Sequence, residues 1–265
     1  MKNYKKVLVL GLAAVMSLGL LTACGKKPAA PVAINSAADL AGKKIAVQEG
    51  TTGDLLVSDI TGTEVTRLKA ATACAMELVN GKVDCVVIDK LPAQKLVDAN
   101  KDKIKMLDFA ASEENESYAI AVGKENTDLL DKVNAAIKTL NDNGTMEKLM
   151  AKHVNGEEVE LPALGTNTAN GELVMGTNAE FEPFEYVGDD GELAGFDIDF
   201  AKYIAAELGM SLKIENLDFD ALIPTLQSGK VDMVAAGMTA TDERKQSVNF
   251  TTDYYESTQA ILVQK

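Results

Sequence analysis

Short apolar runs alternate along the chain with stretches in which apolar residues recur every three or four positions. In the first half, KKIAVQEG (43–50), TEVTRLK, KVDCVVID, KIKMLDF and SYAIAVGK predict strands. Between them, ATACAMELVNG, closed by Gly81, and LPAQKLVDANKD, with Pro92 in its first turn, predict helices. NTDLLDKVNAAIKTLNDNG and TMEKLMAKHV predict two more. After the polar stretch GEEVELPALGTNTAN the style repeats. ELVMGT, SLKIENL, KVDMVAAG and STQAILVQK predict strands; DIDFAKYIAAELG, FDALIPTLQSG and the short TDERKQSV predict helices. Strands alternating with helices imply an α/β fold with mainly parallel sheets.

The first two dozen residues break this rhythm. A basic start, MKNYKK, precedes an apolar run of 14 residues that is short for a membrane span. LTAC follows, with small residues before Cys24. Residues 1–23 therefore predict a secretory signal peptide. A cysteine at the cut site resembles the lipobox of bacterial lipoproteins, in which Cys24 is lipidated and becomes the mature N-terminus; an incidental cysteine after an ordinary signal peptide is the alternative. Residues 24–35 then predict a lipidated tether.

Charge and cysteines narrow the chemistry. The net charge is −14, and loss of Lys2, Lys5 and Lys6 with the leader takes it to −17. That leaves nothing to neutralise phosphates and argues against a nucleic-acid partner. Cys74 and Cys85 fall in an apolar helix and an apolar strand, where free cysteine is a common small core residue; two buried thiols are expected rather than a bridge. No CxxC or Cys/His cluster suggests a metal, and no cofactor is expected. His153 is the one histidine. No GxSxG is present, and QEGTTGD (48–54) lacks the P-loop spacing.

Candidate binding residues gather at the ends of predicted elements. NGKVDCVVID (80–89) and SGKVDMVAAG (228–237) echo each other: each turns at a glycine into a buried strand, ending at Asp89 and Gly237. Two similar lobes would present such strand ends to a shared cleft, where ligands of open α/β sheets bind; helix–Gly–strand junctions that merely look alike are the plainer reading. In GMTATDERKQ (237–246), Thr239 or Thr241 can cap a helix whose first turn carries Asp242, Glu243 and, unusually, Arg244. A guanidinium beside free N–H groups and threonine hydroxyls makes an anion site and can hold a carboxylate in bidentate fashion; a surface arginine paired to an acid is the alternative. Asp89 is either a helix cap or an acceptor for an ammonium group. Phe219 lies at a turn into a helix, where its ring could staple the helix or face a ligand.

These stretches together resemble the extracytoplasmic solute-binding proteins of polar amino-acid ABC transporters, the bacterial solute-binding protein family 3. GTNAEFEPFEYVGDDGELAGFDIDFAKYIAAELG looks like the family's opening strand and helix, and FDALIPTLQSGKVDMVAAGMTATDERKQSVNFTTDYYES resembles its signature stretch. DLAGKKIAVQEGTTGD and NGKVDCVVID are similar to parts of its second lobe. The order is exchanged: the block that opens the family stands last here. The resemblance therefore implies a circularly permuted, two-lobed, periplasmic-binding-protein-like (type II) α/β fold with the lobes joined at a hinge. Lobe 2 is expected over 36–116 and lobe 1 over 117–265, with a permutation linker at about 155–170 and a single covalent crossing near ENESYAI. It further implies that Arg244 clamps an α-carboxylate with Thr239 and the backbone near Gly237 and Thr52. Asp89 would take the α-ammonium, and Phe181 and Phe219 would sandwich the side chain. Asn178 falls where some binders of basic amino acids carry an acid, while Glu180 and Glu182 keep a basic ligand open. Gln48 and Glu49 are expected to tune specificity.

The implied function is capture of an amino acid and its delivery to an ABC permease. The protein would be a monomeric, non-enzymatic lipoprotein on the extracytoplasmic face of the cell membrane. The alternatives are an exported enzyme like cyclohexadienyl dehydratase, a sensor module that signals through a separate membrane protein, and a permutant engineered for biosensing.

Overall fold

The computed structural model describes residues Ala33–Lys265. The leader, Cys24 and most of the tether lie outside them. Fifteen strands and eight α-helices follow one another in this unit. The strands of the first half are β1 (Lys44–Gln48), β2 (Glu64–Leu68), β3 (Cys85–Asp89), β4 (Ile104–Ala110), β5 (Glu116–Tyr118) and β6 (Ala121–Gly123). Those of the second are β7 (Glu172–Thr177), β8 (Glu180–Phe181), β9 (Glu185–Val187), β10 (Leu193–Ala194), β11 (Ser211–Asn216), β12 (Met233–Val234), β13 (Val248–Phe250), β14 (Tyr255–Ser257) and β15 (Gln259–Gln264). The helices are α1 (Thr52–Ser58), α2 (Ala71–Val79), α3 (Lys90–Ala99), α4 (Thr127–Asp142), α5 (Thr145–Leu149), α6 (Phe196–Glu207), α7 (Leu222–Gln227) and α8 (Asp242–Ser247).

Two five-stranded sheets define two lobes. Their orders are β2-β1-β3-β15-β4 and β11-β7-β12-β6-β13. In the first, β15 runs antiparallel to both neighbours; in the second, β6 does the same. The two lobes thus share one topology, each completed by an antiparallel strand that arrives from the other lobe. The echoed segments supply the equivalent central strands β3 and β12. Of these, β3 is buried at all five positions, as its unbroken apolar run requires when helices cover both faces.

This topology corrects the expected lobe boundary. β15 lies within 117–265 yet pairs with β3 and β4, so the final strand belongs to the lobe built by 36–116. The single covalent crossing expected near ENESYAI becomes two, residues 111–120 and 251–258. They pair antiparallel through β5 and β14, with Tyr118 opposite Tyr255. The segment SYAIAVGK, expected as one strand, breaks into β5 and β6 because it changes sheets between them. KVDMVAAG forms a ladder only at Met233–Val234. QEGTTGD leads into α1: the Thr51 side chain caps it by accepting from the Asp54 N–H at 3.3 Å.

The cores sit on the sheet faces. Phe184, Phe196, Phe200 and Tyr118 are fully buried aromatic anchors beside Tyr254, which stacks on Phe196 at 5.5 Å. Cys74 and Cys85 are free, buried thiols in separate clusters, and burial pushes each up to about 12. Residues 157–168 carry no helix or strand. This stretch is nonetheless seated: Leu161 packs on the core and Tyr203 donates to the Pro162 carbonyl. His153 bonds Asp199 at 2.9 Å and serves α6 packing. Among the described residues no helix is long and apolar enough to cross a membrane.

Candidate functional site

The carboxyl ends of β1 and β3 face the second lobe across a cleft, and the lobes are closed on each other. Lys69 reaches Asp220 at 2.8 Å and Lys95 reaches Glu182 at 3.0 Å. Thr72 donates to Glu180 at 3.1 Å. Deeper in, Gln48 Nε2 donates to Asn178 Oδ1 at 2.7 Å, and Asn178 Nδ2 donates to the Leu217 carbonyl. These contacts close tightly over a cavity of about 10 Å3.

Arg244, Asp89, Thr239, Gly237, Thr52, Phe219, Phe181 and Asn178 all line this one cavity, joined by Gln48 and Thr51. Glu180, Glu182 and Glu49 do not; each is engaged at the rim, Glu49 with Lys69 at 2.9 Å.

Arg244 lies in the first turn of α8, whose N-cap is Thr241. Only 8% of it is exposed. Its guanidinium donates to the Thr239 carbonyl and, across the cleft, to the Gly50 carbonyl, each at 2.9 Å, and it lies 5.3 Å from the centre of the Phe219 ring. Phe219 therefore supports the cation on its π face. A guanidinium has five N–H groups, so donors remain for an anion. The first turn of α1 adds backbone N–H groups that have no intrahelical acceptor.

Asp89 occupies the cap position of α3 but makes no side-chain cap bond. Its carboxylate turns instead to the Tyr118 hydroxyl and to Gln259 Nε2, the latter at 2.9 Å. Burial, reinforced by the negative charge of Glu116, raises it to about 6, opposed by the hydrogen bonds from Tyr118, Gln259 and Ser257. Among the described residues Asp89 has no salt-bridge partner, so it is a buried acid with capacity to meet a cation.

Gly237 lines the cavity with a positive φ of 51°, and a Cβ there would lie 2.5 Å from Phe181 Cε1. Its N–H donates to Asp197 Oδ2 at 2.8 Å, and Tyr254 donates to the same oxygen at 2.9 Å. Asp197 Oδ1 and both Glu185 oxygens are buried without a partner. A proton on Glu185 supplies the missing donor. Burial and the Asp197 charge hold Glu185 well above the usual carboxylate range, and burial raises Asp197 to about 6. This pair fixes the floor of the cleft.

Sequence reasoning passed over Glu116, Tyr118 and Gln259. Glu116 and Tyr118 come from the first crossing segment, and Gln259 heads β15 directly after the second. Gln259 Nε2 lies within 3.2 Å of the Thr52 hydroxyl as well as bonding Asp89. The polar Gln at the head of an apolar strand was the available signal.

The chain from residue 173 to 265 matches the model of the bacterial extracellular solute-binding proteins, family 3. The arginine-binding extracellular protein ArtP of Bacillus subtilis (strain 168) is 40% identical over 101 residues, 38% of this chain and 39% of that protein. A probable histidine-binding protein of Campylobacter jejuni is 46% identical over 94 residues, 35% of this chain and 36% of that one. The chain thus spans well under half the length of these curated relatives. Among solved structures, an ancestral arginine-binding protein bound to arginine is 53% identical over 29% of this chain and 34% of its own, with a TM-score of 0.29. The arginine-bound form of domain 1 from TmArgBP is 42% identical over 36% of this chain and 81% of its own, with a TM-score of 0.31.

Proposed function

We propose that the protein captures an amino acid in the cleft between its lobes and delivers it to an ABC permease, acting as a monomer held at the extracytoplasmic membrane face by a lipid on Cys24. The observation that carries this is the convergence on one cavity of a buried cation, Arg244, and a buried anion, Asp89, with aromatic walls from Phe181 and Phe219. A zwitterion needs one fixed charge of each sign, backbone donors and an apolar wall in a closing cleft. In this reading Arg244, the backbone N–H of Thr239 and the N–H groups near Thr52 hold the α-carboxylate, Asp89 takes the α-ammonium, and Asn178 with Gln48 meets the side chain. The two curated relatives named above carry the names of an arginine-binding protein and a probable histidine-binding protein.

The exchanged block order is part of the proposal. The matched block, 173–265, is the one the permuted order moves to the end of the chain, and the shared strand order of the two lobes supports a family fold reached by another route through the sequence. The test is thermal unfolding of the soluble chain 25–265 against each of the twenty amino acids. Ligand at 100 times its dissociation constant stabilises by about 2.7 kcal/mol. A shift with one or a few amino acids that Arg244→Ala abolishes supports the reading; a cooperative melt that none of them moves contradicts it.

A further inference from the structure

Glu116 opens β5, the strand that carries the chain from one lobe to the other. One of its oxygens, Oε2, accepts from the Thr52 hydroxyl at 2.7 Å and from the Thr239 hydroxyl at 2.8 Å. Thr52 stands at the start of α1, against the first sheet; Thr239 follows β12 of the second. A single oxygen on the hinge strand therefore gathers one hydroxyl from each lobe. Both threonines line the binding cavity, and both also line a larger hollow on the other side, which Glu116 shares with Leu55, Asn115 and Lys245. Glu116 forms the partition. It has no ion pair with Arg244 within 4.0 Å among the described residues, so it leaves the guanidinium open to a ligand.

The direction of these bonds matters. A carboxylate accepts and does not donate. Each threonine has one hydroxyl proton, and both protons are spent on Glu116. Thr239 then offers the cavity lone pairs alone, and Thr52 offers its lone pairs to Gln259 Nε2.

We propose that Glu116 is a positioning residue: it clasps the two lobes at the closed separation and turns Thr239 into an acceptor, so that the cleft, where Asp89 also accepts, prefers a ligand group with several donors, an ammonium, over a hydroxyl with one or a carbonyl with none. This rests on the amino-acid reading above. Glutamine at 116 keeps the shape but brings an N–H donor, which frees a threonine hydroxyl to rotate into the cavity.

The experiment is calorimetric titration of purified wild type, Glu116→Gln and Glu116→Ala with the twenty standard L-amino acids, and of the 2-hydroxy acid analogue of each one that binds, together with small-angle scattering of all three proteins without ligand. Unchanged far-ultraviolet circular dichroism and a cooperative melt establish that the variants fold. Glu116→Gln is expected to weaken amino-acid binding about tenfold and to lower the preference for amino acid over hydroxy acid about tenfold; Glu116→Ala is expected to widen the ligand-free particle. Binding and preference unchanged in both variants overturn the proposal, as does tighter binding in either. A wild type that binds none of the twenty defeats the transport reading instead, and the clasp then stands on scattering alone: a particle that Glu116→Ala leaves unwidened overturns it.

Discussion

The protonation of Asp89 gives the sharpest handle on ligand binding. In the ligand-free protein its carboxyl titrates at about 6, raised by burial and by Glu116. An ammonium ligand requires the ionised form. The sign follows: a proton on Asp89 competes with the ligand, so affinity is full well above pH 6 and falls as pH drops through it. For one competing proton the apparent dissociation constant rises by a factor of 1 plus the ratio of proton concentration to the acid constant. That is negligible at pH 7.5 and about tenfold at pH 5. Arg244 stays cationic throughout this range, and Tyr118, itself raised by burial, does not ionise in it. The assay is isothermal titration at pH 7.5, 6.5, 5.5 and 5.0 in pairs of buffers with different ionisation heats, which also reads about one proton released per ligand bound at pH 5. Asp89→Asn is the control: it should weaken binding by roughly 2–5 kcal/mol, the usual effect of truncating a buried charge pair, and remove most of the slope. An affinity that is the same at pH 5.0 and 7.5, with no proton released, would refute the reasoning.

Other outcomes follow from the same cleft. Gly237→Ala would place a methyl against the Phe181 ring at a positive φ, so it should destabilise by about 1–3 kcal/mol and weaken binding, as read by thermal melts and titration. The Glu185–Asp197 pair has both acids raised above their unfolded values. Through Asp197 the folded state therefore holds an extra proton between about pH 4 and 6, a contribution to stability that is lost as pH rises through 6. The melting temperature should be higher at pH 5.5 than at pH 7.5, and Glu185→Gln should flatten that difference. At the rim, Lys69→Ala together with Lys95→Ala removes the cross-cleft pairs with Asp220 and Glu182. These are exposed, so ligand affinity should fall only a few-fold at low salt and converge on wild type at high salt.

How much of this was legible in the sequence depended on where each residue lies. Asp89 and Arg244 stand at junctions, a strand end and a helix start, where local pattern and chemistry coincide, and the eight candidates line one cavity. β15 was legible as a strand but not as a member of the first sheet, because an apolar run looks the same whichever sheet it joins. Its pairing is set by register and by the crossing that precedes it. Glu116 and Gln259 escaped notice for the same reason: they matter through partners more than 60 residues away, and nothing beside them in the chain announces those partners. Tyr118 read as an ordinary apolar strand residue, although its hydroxyl is a principal partner of Asp89.

The most direct test is a crystal structure of the protein with the amino acid that gives the largest thermal shift. The account predicts its carboxylate on the Arg244 guanidinium, its ammonium on Asp89 and its side chain between Phe181 and Phe219. A ligand bound elsewhere, or seated in the cleft with its ammonium away from Asp89, would contradict it.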